Sequence, residues 1–329
     1  IFIDAFVYPI ILNCKKKIYS ELKNDIYDLT IYKDTKENNI LLEKMTIDSV
    51  KLINLVSITE TIHTWNIREK LIINTKINDN CKKLLRWRDL DRYLINPDEN
   101  LFVNYDETLI NKNVWEYANL TNRNLYENNK ILIRDISLRL QAYYDEDNFY
   151  SVNTLYSILL KTDLIKYKTL LTLLNSKLLS FWFENKYNDA HVSWWYLRFK
   201  KKYVSELPIK IPKNEANFIE KADFMLENNK VLQEKTNKFL NRLKTSFWIE
   251  KLSWKLEKFY DLDFGSFVNE LKKNKINLSL KDQDEWEDYF NSYKNVILEL
   301  IIEIEKCDRE IDEMVFDLYE LSEEERRVV

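Results

Sequence analysis

Lys130-Ile-Leu-Ile-Arg-Asp-Ile136 and Leu138-Arg-Leu-Gln-Ala-Tyr-Tyr144 stand one residue apart. The first is a short apolar run. The second alternates polar and apolar residues with period two, the repeat that sends successive side chains to opposite faces of a strand. Two neighbouring strands are expected here. Further along, residues 167–187 carry Leu170, Leu171, Leu174, Leu178, Phe181 and Trp182 at helical spacing. Leu207-Pro-Ile-Lys-Ile-Pro212 is expected to be extended, because each proline disfavours helix in the residue before it. No proline follows Pro212, and residues 216–321 read as helical. Their clearest stripe is Trp286, Phe290, Tyr293, Ile297, Leu300, Ile304, Cys307, Ile311, Met314 and Leu318. It steps by three or four and predicts a long helical hairpin, coiled coil or bundle. Before residue 60 the runs are strand-like: residues 1–13 are apolar and β-branched, and residues 27–32 alternate. The reading is an α+β chain: terminal strands in 1–64, a mixed α/β domain in 65–212 and a helical region in 213–329.

The length of 329 residues exceeds what one small core organises, and hydrophobic residues at 45% supply ample material for burial. No apolar run approaches the roughly 18 residues of a membrane span. Cys14, Cys81 and Cys307 are far apart and odd in number, which suggests a reducing, cytoplasmic setting with three buried thiols and no zinc site. Residue 1 is Ile and the opening reads like an internal strand, so a chain cut from a longer protein is expected. Gly265 is the one glycine, which excludes most phosphate-cradling loops, since these need several glycines for close backbone approach.

The net charge of −4 conceals an asymmetry. Residues 1–64 hold 8 Lys+Arg against 9 Asp+Glu, residues 65–212 hold 23 against 18, and residues 213–329 hold 19 against 27. A basic middle beside an acidic end is the pattern of one module meeting a polyanion while another does not. Within the middle, Arg86-Trp-Arg-Asp-Leu-Asp-Arg92 places three arginines in seven residues. Arginine grips phosphate or pairs with guanine through its planar fork; Asp89 and Asp91 are equally able to hold these arginines in salt bridges. Trp194-Trp-Tyr-Leu-Arg-Phe-Lys-Lys-Lys-Tyr203 holds four cations and five aromatics in ten residues. Cations supply the phosphate attraction and aromatics stack or wedge against bases. The candidate DNA-binding residues are Arg86, Arg88, Arg92, Arg134, Arg139, Trp194, Trp195, Arg198, Lys200, Lys201 and Lys202. No catalytic residue is expected. The chain has no Pro-Pro pair, as in the Asn/Asp-Pro-Pro-aromatic loop that holds the target amine in amino-methyltransferases. His63 and His191 have no nucleophile or carboxylate at a suggestive spacing. The carboxylate pairs Asp145/Asp147 and Asp282/Asp284 read as solvated loop charges rather than metal ligands.

Five segments, in order and spacing, resemble the TaqI-like C-terminal specificity domains. They are Cys81-Lys-Lys-Leu-Leu-Arg-Trp-Arg-Asp-Leu-Asp-Arg-Tyr93, Lys130-Ile-Leu-Ile-Arg134, Tyr150-Ser-Val-Asn-Thr-Leu-Tyr156, Leu173-Leu-Asn-Ser-Lys-Leu178 and Leu207-Pro-Ile-Lys-Ile-Pro212. The flanks carry further likeness. Phe2-Ile-Asp-Ala-Phe-Val-Tyr-Pro-Ile-Ile resembles a late strand of adenine-N6 DNA methyltransferase domains. Glu310-Ile-Asp-Glu-Met-Val-Phe-Asp-Leu-Tyr-Glu-Leu-Ser-Glu-Glu-Glu325 is similar to the ending of type IIG restriction–modification enzymes, with Glu320 where that family usually has glycine. The resemblance implies the end of a methyltransferase domain in 1–64, a target-recognition domain in 65–212 that binds double-stranded DNA, and a helical C-terminal region. It also implies a parent protein that uses S-adenosylmethionine and Mg²⁺ to methylate and cut DNA, with those cofactors outside this chain. The rival readings are a free-standing specificity subunit, which should carry a second recognition domain, and a helical protein-interaction module.

Overall fold

The computed structural model describes residues 36–192 and 196–329. The expected strands in 1–13 and 27–32, the methyltransferase-like segment near residue 2, and Cys14 lie outside the described residues. The chain divides into two compact units, 1–44 and 45–329. Of the first, a helix that begins at Lys36 and runs to Thr46 is described. All that follows concerns the second unit.

Its main sheet has four antiparallel strands in the order Ala142–Asp145, Lys130–Arg134, Leu155–Leu160, Val56–Glu60. The run Lys130-Ile-Leu-Ile lies wholly buried, as a strand does when both sheet faces are covered. Leu132 and Leu155 pack with Leu85, Leu90 and Ile95. The expected partner strand begins at Ala142 rather than Leu138, because the chain leaves the sheet after Arg134 and forms a second, separate pairing. There Ile136 faces Arg198 and Ser137 faces Leu197. Placing Val56–Glu60 in this sheet corrects the boundary expected at residue 64: the strand pairs with Leu155–Leu160 over five residues, so its hydrogen bonds belong to the middle domain.

A smaller sheet, in the order Tyr150–Ser151, Cys81–Leu85, Phe102–Asn104, Ile72–Ile73, covers a core of Ile62, Leu71, Leu84, Val103 and three tyrosines. Tyr126 and Tyr150 stack with ring centroids 4.3 Å apart, and Tyr105 meets both edge-on.

The helix expected over 167–187 is two helices, Tyr167–Asn175 and Lys177–Lys186. Ser176 breaks the run and caps the second, its hydroxyl accepting from the Leu179 amide. Asn175 ends the first for a tertiary reason. Its amide accepts from the Ala142 N–H and donates to the Ala142 carbonyl, both at 2.9 Å. A side chain thus pairs with the outer side of the edge strand, where the Ala142 carbonyl also accepts from the Tyr93 amide at 3.1 Å.

The predicted hairpin is formed by Ala216–Phe247 and Leu280–Leu318. Lys221 pairs with Glu310 at one end and Phe247 packs on Trp286 at the other, so the two helices run antiparallel. Ser279 and Asp282 form a reciprocal cap at the start of the second. Asp282 is therefore a capping residue, not half of a metal pair. The boundary expected at 212/213 does not separate two compact units, since residues 45–329 form one. Several buried bonds explain this. The Tyr319 hydroxyl donates to the Pro208 carbonyl (2.6 Å) and accepts from the Lys210 amide. The Thr172 hydroxyl donates to the Phe218 carbonyl, and Asp312 accepts from the Lys177 amide at 2.8 Å. Glu320 has φ 58°, the left-handed region that glycine adopts without steric cost, and its carboxylate holds Lys210 at 2.9 Å. Cys307 is buried on the hairpin, and burial pushes its thiol up to about 11. In the native protein a maleimide is expected to label Cys307 slowly, and at full rate only in denaturant, as followed by peptide mass mapping. Rapid native labelling would show that the hairpin opens there.

Candidate nucleic-acid interface

The residues of the arginine-rich segment divide by partner. Arg86 directs its fork onto the buried Asp89, at 3.1 and 3.0 Å, and onto Asp98 at 3.3 Å. Asp89 also accepts from the Arg86 amide at 2.7 Å. This pair fixes the turn Trp87–Asp89. Arg92 reaches across to the hairpin and grips Asp308 with both terminal nitrogens. Arg139 is partly buried and donates to the Asn175 carbonyl at 2.8 Å. Arg86, Arg92 and Arg139 thus each give at least one guanidinium N–H to a protein acceptor, although the buried Nε of Arg92 and of Arg139 has no hydrogen-bond partner, and breaking such charge-assisted bonds opposes DNA contact by these three.

Arg88 is left exposed beside the half-exposed indole of Trp87. Arg134 lies with its guanidinium 4.4 Å from the centre of the same indole and donates to Gln141 at 3.0 Å. Gln141 in turn donates to Asp91 at 2.9 Å. Arg134, at the end of a central strand of the main sheet, is thus held over the indole and only partly exposed, with its Nε buried. The two-residue strand Leu197–Arg198 runs antiparallel to Ile136–Ser137. It holds Arg198 with its Nε 3.2 Å from Asp135 and 48% of its side chain exposed. Asp135 is a positioning residue: it accepts from the Tyr156 hydroxyl at 3.2 Å and its backbone carbonyl accepts from the Phe199 amide. Burial raises Tyr156 to about 12, so its hydroxyl stays protonated and can donate.

Between these cations stand exposed apolar side chains, Ile136, Leu138 and Tyr196. Next comes a single helical turn, Lys201–Val204. Lys201 and Lys202 are exposed on it and Lys200 half-exposed, while Tyr203 and Val204 anchor it in the core. Lys202 sits 4.4 Å over the Tyr203 ring. Trp194 and Trp195 lie outside the described residues. The structure thus groups Arg88 and Arg134 about the Trp87 ring, with Arg198 paired to the segment that follows Arg134 and the lysine turn next to it in the chain. Sequence reading missed Gln141, which aims Arg134, and Ile136, Leu138 and Tyr196, which are the exposed apolar side chains. Their signal was present only as an interruption: two apolar residues flanking Ser137 where the strand ought to have continued.

Chemically, these residues offer guanidinium and ammonium donors for phosphate and base edges, with apolar side chains between them. Among the described residues no three His, Cys, Asp or Glu side chains gather to hold a metal ion. No described helix is long and apolar enough to cross a membrane.

Residues 82–209, the span that holds Arg88, Arg134, Arg198 and the lysine turn, match the family model of the TaqI-like C-terminal specificity domain. Residues 211–315 match a domain of unknown function, DUF8810. A search of curated proteins finds no match to the chain.

Proposed function

We propose that this chain, through its TaqI-like specificity domain, reads the base sequence of duplex DNA for a restriction–modification protein. The observation that carries the reading is the agreement of two independent facts. The specificity-domain match spans 82–209, and the exposed cations Arg88, Arg198, Lys201 and Lys202 lie within that span together with exposed apolar side chains. Phosphate contacts from the lysine turn would set position on the duplex. The stacked Arg134 and the exposed Arg88 are the side chains suited to base edges, since only a flat, oriented fork pairs with guanine O6 and N7. The finer reading is a type IIG protein that methylates adenine N6 with S-adenosylmethionine and cleaves DNA with Mg²⁺. It rests on the flanking resemblances and assigns those steps, and their cofactors, to a partner region beyond this chain.

The test is duplex binding across a salt series. Affinity is expected to fall by orders of magnitude between about 50 and 200 mM salt, with log K linear in log salt. Replacing Lys200, Lys201 and Lys202 with glutamate should reduce the slope by about 0.9 for each phosphate that is no longer neutralised. Arg134→Ala should lower discrimination between sequences more than it lowers total affinity. A slope unchanged by the triple reversal would remove the lysine turn from the interface.

A further inference from the structure

The acidic C-terminal region conceals a basic end. Residues 235–281, the far end of the hairpin, hold 11 Lys+Arg against 5 Asp+Glu, although residues 213–329 as a whole are acidic. This end is a small, well-packed module. The short helices Trp254–Glu257 and Phe264–Lys273 close over Phe239, Phe259, Phe267 and Phe290, with Phe239 and Phe259 stacked at 3.7 Å. Two tryptophans take no part in that core. Trp248 is 90% exposed and Trp254 70%. Trp248 also sits in the left-handed region, φ 54° and ψ 39°, where it ends the first long helix. Glycine or asparagine ordinarily fills that position, and an indole there is strained while burying nothing. Around the two rings Lys244, Lys251 and Lys258 are exposed, and Lys255 lies 5.6 Å from the Trp254 ring. Glu270, the buried acid of this end, is taken up by Lys273 at 2.6 Å and faces Lys255 at 3.9 Å.

We propose that the hairpin tip around Trp248 and Trp254 is a second contact site for duplex DNA, with the lysines on phosphates and the indoles against the sugar–base edge. Positive charge concentrated at one end of an otherwise acidic arm is complementary to a polyanion. Exposed, unburied aromatics among cations are the side chains that stack on or wedge between bases. The proposal rests on the DNA-reading function proposed above, because that function supplies the duplex. The arm gives the tip reach. At 1.5 Å per residue the 32-residue helix Ala216–Phe247 spans about 48 Å, roughly 14 base pairs of duplex length. The tip is therefore able to meet DNA well away from residues 82–209.

The experiment uses the whole chain. The photo-cross-linking amino acid p-benzoylphenylalanine is placed at position 248 and irradiated with a 40-base-pair duplex. In parallel, the variant Trp248→Ala/Trp254→Ala/Lys251→Glu/Lys258→Glu is titrated with the same duplex across salt. All four side chains are exposed, so the thermal midpoint should stay near that of the parent chain. The expected result is a protein–DNA cross-link at 248. The variant's salt slope should be lower by about 1.8, with affinity weaker on the order of 10-fold or more at low salt. Duplex binding with no cross-link and an unchanged slope would overturn the tip site and leave the specificity-domain reading standing. Failure of the parent chain to bind duplex at any salt would overturn both. A cross-link to a second copy of the chain in place of DNA would assign the tip to self-association and overturn the proposal.

Discussion

Lys130→Met is expected to destabilise the protein by about 3–5 kcal/mol, the usual cost of removing one partner of a buried ion pair. Lys130 and Asp145 are both fully inaccessible, with the ammonium 2.6 Å from the carboxylate, at the facing ends of two paired strands. Lys130 also donates to the Tyr126 carbonyl at 2.7 Å. Asp145 accepts from the amides of Asp147 and Phe149, which fixes the turn that leads into the smaller sheet. Burial pushes the ammonium down and the carboxyl up, and each charge opposes the shift of the other. With Met at 130, Asp145 is a buried charge without a counter-ion. A fall in Tm of about 10 °C is expected, at roughly 2–4 °C per kcal/mol for a domain of 150–250 residues. Adding Asp145→Asn removes the stranded charge but keeps an acceptor for the two turn amides, and most of the loss should be recovered. A single variant whose Tm stays within about 2 °C of the parent would show that the pair carries no such weight. Asp145, read from the sequence as a solvated loop charge, is instead a fully buried strand residue held by Lys130.

Arg92→Ala is expected to loosen the hairpin from the specificity domain at a cost of about 2–3 kcal/mol. Both terminal nitrogens of Arg92 grip Asp308 across a sequence separation of 216 residues. The two side chains keep only 17% and 25% of their exposure, so the pair is less screened than a surface bridge, where the gain is at most about 1 kcal/mol. Asp312, one turn further along the helix, sits beside Arg139 and Arg92, and burial pushes its carboxyl up. Removing Arg92 leaves Asp308 and Asp312 as two acids at one buried seam. The readout is limited proteolysis under native conditions: cleavage near residues 210–215 should rise by on the order of 10-fold or more in Arg92→Ala, as a loss of 2–3 kcal/mol raises a local opening equilibrium. Arg92→Lys should only partly restore resistance, because a point charge does not reproduce the two-pronged grip. Equal protease resistance in parent and variant would show that the seam holds without this pair. Arg92 stands in the segment that reads as a DNA grip, and its partner lies in a region that reads as a separate module.

These two residues show where sequence reading stops. The strand at Lys130 was legible from its short apolar run. Nothing local announces that Asp145 will lie opposite. That depends on the register of two strands joined by a kinked excursion through Ile136 and Ser137. The long helices were legible from periodicity, since a stripe repeating every three or four residues has one way to be buried. The break at Asn175 and Ser176 was not, because Asn175 serves Ala142, thirty-three residues away.

By itself, then, the sequence determined the α+β class, the extended Leu207-Pro-Ile stretch, the long helical character of the C-terminal region and the likeness of the middle segment to a specificity domain. Each of these rests on local patterning or on a set of short motifs in fixed order. Only the tertiary structure decided which arginines are available. Arg86, Arg88, Arg92, Arg134, Arg139 and Arg198 are equal as letters. Arg86, Arg92, Arg139 and Arg198 are held by Asp89, Asp308, the Asn175 carbonyl and Asp135, and Arg134 by Gln141, while Arg88 stands exposed and Arg198 keeps 48% of its side chain exposed. An arginine's role is set by the nearest acceptor in space, and for Arg92, Arg139 and Arg198 that acceptor is brought close only by folding.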